Sequence, residues 1–267
     1  MPSVDAGGTE LYYERSGKGE PLLLIQGMSA THVTWGRSFL EELEPSFECV
    51  VFDNRGIGLS GPAEAPFTIA DMAADTAGLL DALGLETAHV VGISMGGMIA
   101  QELALAHPER IRTLTLGATY CGGPDGALMT RDDQQMLGSA FASREPEQVH
   151  RAMWEINLSP GFRADDFRFA AFSEMARAFR APLPVIVQQM RACGGHDTSA
   201  RLGEISLATL VIHGDEDRLL APANGRQIAA RIPGAQLEML AGVGHMFWWE
   251  QPRRSAELIR EHALAAV

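Results

Sequence analysis

No segment constrains this chain more than Gly92-Ile93-Ser94-Met95-Gly96, followed by Gly97. An apolar run, Ala88-His89-Val90-Val91, precedes it, and a helix-forming run from Met98 to Ala104 follows. A strand, a turn built on glycines and then a helix is the context in which G-x-S-x-G carries chemical meaning. Such a turn holds its serine in a strained backbone geometry, and flanking glycines remove side chains that would crowd it. The hydroxyl is then presented at the carboxyl end of a sheet, beside the free N–H groups of a helix N-terminus. Taken alone, the five residues also fit a turn that merely packs a helix on a strand.

A serine hydroxyl is a weak nucleophile near neutral pH and needs a base oriented by a third group. On this kind of sheet the order along the chain is serine, acid, histidine. Thr209-Leu210-Val211-Ile212-His213-Gly214 reads as a buried strand ending in a turn, and Asp215, Glu216 and Asp217 follow it. A helix opening at Pro222 and a short strand, Gln236 to Leu240, lead to Gly242-Val243-Gly244-His245-Met246-Phe247. An acid after one strand and a histidine after the next both fall at the catalytic end of a parallel sheet. His245 is placed to accept the Ser94 proton, and an aspartate to fix the imidazole tautomer. Asp215 and Asp217 both lie on that loop, and only one can be the orienter. One oxyanion donor is expected from the N–H of Met95, immediately after the nucleophile.

Alternating strands and helices imply an α/β fold with a mainly parallel central sheet flanked by helices. Strands are expected near 21–26, 48–53, 88–92, 111–117, 208–213 and 235–240, after an antiparallel edge strand near 9–15. Helices are expected near 37–44, 68–84, 95–106, 222–231 and 252–265. Between about 121 and 206 the alternation breaks. Gly122-Gly123-Pro124-Asp125-Gly126 signals a loop, and helical stretches follow near 131–143, 146–157, 165–179 and 183–193 without a strand. The organisation is therefore a core of residues 1–120 and 207–267 with a helical insertion at 121–206. The insertion is rich in large apolar residues, among them Trp154, Phe162, Phe172 and Phe179, most of which packing should claim.

The chain resembles the α/β-hydrolase superfamily, near its esterase, lactonase and cofactor-free perhydrolase branch. The likeness rests on Gly92 to Gly97, on His213-Gly214-Asp215-Glu216-Asp217, on Gly244-His245, and on Asp53-Asn54-Arg55-Gly56-Ile57-Gly58-Leu59-Ser60. The resemblance implies a catalytic triad of Ser94, Asp217 and His245, because the family places its acid four residues after the histidine of the His-Gly pair. Asp215 is then expected to be a turn residue bonded to its own backbone. The resemblance also implies that the N–H of Met28, on the loop after Pro21 to Ile25, joins Met95 in the oxyanion hole. Gln26-Gly27 stands where the family commonly has His-Gly, so bonding around that loop must differ. The helical insertion is similar to the family's cap, which excludes water and shapes the acyl pocket. Gln26, Trp154 and Phe247 are the expected substrate-binding side chains, with Trp248 and Trp249 extending that wall. The Asp53 to Ser60 turn is expected to shape the scaffold, and His213 to be structural.

A chain of 267 residues, 46% hydrophobic and 21% charged, can bury one full α/β core. Its net charge of −13 argues against nucleic acid or an anionic membrane surface as partner. Three scattered cysteines, Cys49, Cys121 and Cys193, fit neither a disulfide framework nor a zinc site. With no signal-peptide pattern at the start, the simplest localisation is cytoplasmic. No cofactor or metal is expected, and oligomeric state is not legible. The expected activity is hydrolysis of a small to medium, mostly apolar ester or lactone. Peracid formation from hydrogen peroxide, carbon–carbon bond hydrolysis, and ligand binding on a hydrolase scaffold are the alternatives.

Overall fold

The structure is a computed structural model that describes residues 2–63, 66–178 and 181–265. Its strands are β1 (Ser3–Asp5), β2 (Glu10–Gly17), β3 (Glu20–Ile25), β4 (Phe47–Phe52), β5 (Ala88–Ile93), β6 (Ile111–Gly117), β7 (Thr209–Gly214) and β8 (Gln236–Leu240). They form one eight-stranded sheet in the order β1-β2-β4-β3-β5-β6-β7-β8. β1 and β2 pair antiparallel, β2 pairs antiparallel with β4, and every later pairing is parallel. The edge on that side is thus β1, a three-residue strand too short to show a period in sequence, and β2 lies one place inward.

Alternation along the strands divides the core between two faces. Leu23, Ile25 and Val90 point to one side. There they meet Met72 and Leu80 of α2 (Ile69–Ala82), Ile99 and Leu103 of α3 (Met95–Ala106), and Ile228, from the helix Ala223–Arg231. Leu22, Leu24 and Ile93 point to the other, against Phe39 and Leu43 of α1 (Arg37–Leu43) and Leu258 and Ile259 of the C-terminal helix, Pro252–Ala265. Every residue of β5 and β7 is buried, as strands covered on both faces require.

Among the described residues, five α-helices run between β6 and β7: α4 (Arg131–Ser143), α5 (Pro146–Asn157), α6 (Pro160–Arg163), α7 (Asp166–Ala178) and α8 (Leu183–Gly194). Thr130 caps α4, Pro146 opens α5 and Ser159 caps α6. Trp154 anchors this segment, its ring 5.3–5.9 Å from those of Phe162, Phe169 and Phe172. Phe179 lies outside the described residues. The remaining helices are α9 (Ala223–Arg231), α10 (Phe247–Glu250) and α11 (Pro252–Ala265). No described helix is long and apolar enough to cross a membrane.

β3 lies between β4 and β5, so the chain reverses its direction of travel across the sheet there. Loops leaving such a switch point diverge and open a crevice at the carboxyl ends of the strands. Ile25 pairs with Gly92, which brings the loop after β3 and the turn after β5 out at the same level.

Candidate active site

Ser94 occupies the turn from β5 to α3 at φ 56° and ψ −120°, well outside the ordinary regions for a residue with a side chain. Such a conformation costs on the order of 1–3 kcal/mol and persists only where its surroundings impose it. Here the Ser94 N–H donates to the Gly117 carbonyl at 2.9 Å, and its own carbonyl accepts from Thr119 Oγ1 at 2.6 Å. The flanking glycines serve close approach rather than a left-handed backbone. A Cβ on Gly92 would strike the Gly96 carbonyl, and one on Gly96 would strike the Ile25 carbonyl. The side chain of Ser94 is half-buried, whereas Met95 is buried. As a first helical residue, Met95 has an N–H with no partner inside α3.

Asp217 and His245 meet directly, with Oδ2 of the aspartate 2.7 Å from Nδ1 of the imidazole. The other oxygen, Oδ1, accepts the N–H groups of Leu219 and Leu220, each at 2.9 Å. Glu216 N–H donates to the Val243 carbonyl at 2.9 Å, so the loops after β7 and β8 also bond to each other. Asp217 is buried, and burial pushes its carboxyl upward. The charges and hydrogen bonds of His245 and His213 outweigh that and hold it at about 2. Among the described residues, Asp215 bonds not to its own turn but to the next loop. Its Oδ1 accepts the N–H of Gly242 at 2.7 Å, because β8 delivers the next loop directly beside it.

His213 is a second partner of Asp217. It is fully buried, with Nε2 2.9 Å from the Leu220 carbonyl and 3.1 Å from Asp217 Oδ2. A carbonyl accepts only, so Nε2 carries a proton. Nδ1 has no hydrogen-bond partner among the described residues, and a Cβ on Gly225 would sit 2.8 Å from it. The His-Gly pair thus supplies a second donor to the acid. The i, i+4 spacing of His213 and Asp217 was visible in the sequence, but their meeting depends on how the loop folds back.

The loop after β3 carries Gln26, Gly27 and Met28. Gly27 lies against Ser94, with a Cβ placed there 3.1 Å from the serine Cβ and 3.5 Å from its Oγ. Gln26 is buried, its Oε1 accepting the Gly27 N–H at 3.1 Å and its backbone carbonyl accepting from Asn54 Nδ2 at 3.2 Å. Met28 is partly exposed above it. Phe247 is fully buried, packed where Gly117 leaves room for its ring, so it offers a substrate no surface. Trp154 is nearly as deeply buried in its aromatic cluster. Trp248 and Trp249 both donate their indole N–H to the Thr34 carbonyl, at 3.0 and 2.8 Å.

The Asp53 to Ser60 turn is knitted into the scaffold. Asp53 accepts from the backbone of His32 at 2.7 Å and of Leu59 at 2.9 Å, and Arg55 grips Asp75 through a two-point ion pair. His32 reaches Asp53, with Nδ1 2.9 Å from Oδ1. Burial pushes the thiols of Cys49 and Cys193 up to about 12, which leaves neither of them a nucleophile.

A family model described as alpha/beta hydrolase fold matches residues 20–149. The chain is 32% identical over 92% of its length, and 92% of the relative's, to RutD of Azorhizobium caulinodans, named as a candidate carbamate hydrolase. The chain belongs to the α/β-hydrolase family. A poly(3-hydroxyalkanoate) depolymerase of Ectopseudomonas oleovorans is 33% identical over 85% of this chain and 78% of its own. Among solved structures, a thermophilic esterase from Thermogutta terrifontis superposes with a TM-score of 0.81 at 27% identity, covering 99% of this chain and 97% of that one. Membership of this family, with such relatives, supports a hydrolase.

Proposed function

We propose that this α/β-hydrolase is a serine hydrolase acting on small to medium, mostly apolar carboxylic esters or lactones. The observation that carries the reading is the 2.7 Å contact between His245 Nδ1 and Asp217 Oδ2, in a chain whose Ser94 is held at φ 56° on a strand-to-helix turn. In this scheme His245 Nε2 removes the Ser94 proton as Oγ attacks the acyl carbon, and Asp217 stabilises the imidazolium that forms. The N–H groups of Met28 and Met95 hold the oxyanion. His245 then donates its proton to the leaving alcohol, and water activated by the same imidazole releases the acid from the acyl-enzyme. Residues 121–206 act as the cap, with apolar helices excluding water from the reacting centre.

The esterase and depolymerase likenesses support an oxygen leaving group, while the RutD likeness makes carbamates the first competitor. The reading is tested with a small fluorophosphonate, the adduct being located by peptide mass spectrometry in wild type and Ser94→Ala. One adduct on Ser94, absent from the variant, is the expected result. A folded wild-type protein that takes no label sinks the reading. A panel of esters, lactones and carbamates then ranks the acyl donors.

A further inference from the structure

Three consecutive N–H groups on the loop after β3 have different fates. Gly27 donates to Gln26 Oε1 at 3.1 Å, and Ser29 donates to Gln189 Oε1 at 2.8 Å. The N–H between them, on Met28, has no acceptor among the described residues. The loop turns tightly here, with the Ala30 N–H 3.4 Å from the Gly27 carbonyl and Ser29 at φ 59°. A left-handed third residue belongs to a type II turn, where glycine is usual because a side chain is crowded. A serine therefore holds a geometry it would not choose, and something must keep it there.

Gln189 is suited to that task. It projects from α8 in the inserted helices, 160 positions along the chain from Ser29, and is fully buried. Its Nε2 has no hydrogen-bond partner among the described residues, a state that is costly for a buried amide. The polar anchoring of this side chain is thus the contact that Oε1 makes to the Ser29 N–H.

We propose that Gln189 is a positioning residue for the oxyanion loop: by accepting the Ser29 N–H it holds the strained turn, leaving the Met28 N–H as the loop's uncommitted donor. This rests on the serine-hydrolase reading above. It gives the inserted segment a part in the chemical step beyond covering the site. Gln26 does the equivalent for Gly27 from within the loop, so the two carboxamide oxygens bracket the donor. An oxyanion donor acts only when aligned with the charge that develops in the transition state. Loosening the turn should therefore lower the acylation rate and leave KM nearly alone.

The test uses the full chain and three variants: Gln189→Met, which keeps bulk but removes the oxygen, Gln189→Glu, which keeps an acceptor, and Gln189→Met with Ser29→Gly. Rates of Ser94 phosphonylation and kcat and KM on one activated ester are measured for each. Gln189→Met is expected to slow both rates by about 10- to 100-fold, short of the loss of a whole oxyanion donor, with KM within about twofold. Gln189→Glu is expected to stay within a few-fold of wild type. Ser29→Gly, which accepts the left-handed turn without a tie, is expected to recover part of the loss. A Gln189→Met protein that reacts like wild type overturns the proposal, as does a Ser29→Gly double variant that recovers nothing. Should Gln189→Met not fold, the Glu variant decides, since a folded Glu protein that has lost acylation also overturns it. A wild type that takes no label removes the hydrolase reading and this inference with it. With a labelled wild type, the variant rates bear on Gln189 alone.

Discussion

The sheet and the inserted helices solve the same packing problem in different ways. The sheet buries Leu22 to Ile25 and all of β5 and β7 between two helical layers, and its loops leave from strands in fixed register. The inserted segment has one aromatic nucleus around Trp154 and leaves Phe141, Phe167, Leu183 and Met190 exposed. It is fastened to the core through polar contacts at the loops that carry the candidate site. Gln189 holds the loop after β3, and Arg218, beside the acid, pairs with Asp133 of α4 and Glu155 of α5. Glu250 accepts the N–H groups of both Ser159 and Gly244, tying the start of α6 to the residue before His245. Burial pushes the Glu250 carboxyl up, which those donors oppose. The sheet thus places the candidate site residues, and the helical layer braces the loops that carry them.

That contrast breaks most visibly at the two aspartates. Asp217→Asn is expected to lower kcat by about 10⁴-fold through the wrong imidazole tautomer, while Asp215→Asn costs under about tenfold, having only the Gly242 bond to lose. Steady-state kinetics on folded proteins checks this, and equal losses would undo the assignment of the acid. Packing gives the next largest effect. Phe247→Ala should cost about 3–5 kcal/mol in chemical denaturation, and Phe167→Ala, at 91% exposure, under about 0.5 kcal/mol. Similar costs at the two sites would erase the distinction between core and inserted layer.

The smallest effect is in acid. The Asp217 carboxyl sits at about 2 when folded, below its ordinary 3.8, so its contribution to stability is complete above the ordinary value. As pH falls from there toward 2, that contribution is lost. Melting temperatures of wild type and Asp217→Asn should keep a constant gap from pH 7 to about 5 and converge below about 4. A gap that widens in acid would reverse the sign of the shift.

Much of this was legible in one dimension because it follows local periodicity. The strands at 20–25 and 47–52 and the helices at 95–106, 131–143 and 146–157 stand at or within a residue of their expected positions. The Gly-x-Ser-x-Gly turn announced itself because a strained serine needs small neighbours at fixed offsets. Other features had no local signal. β1 is too short for alternation, and α6 and α10 are single turns. Phe247 looked available for substrate because sequence shows that a ring is apolar, not which side of a loop it packs on.

By itself, then, the sequence determined the α/β alternation, the helical interruption, and the serine, acid and histidine order, since each is set by neighbours a few residues apart. The tertiary structure alone decided that His213 reaches Asp217, that Asp215 braces Gly242, and that Gln189 meets Ser29 from 160 residues away. Each of those is a single polar contact that depends on how the chain folds back on itself. No residue pattern encodes it, because hydrogen bonds depend on ångström-scale placement that only the packed sheet and its loops supply.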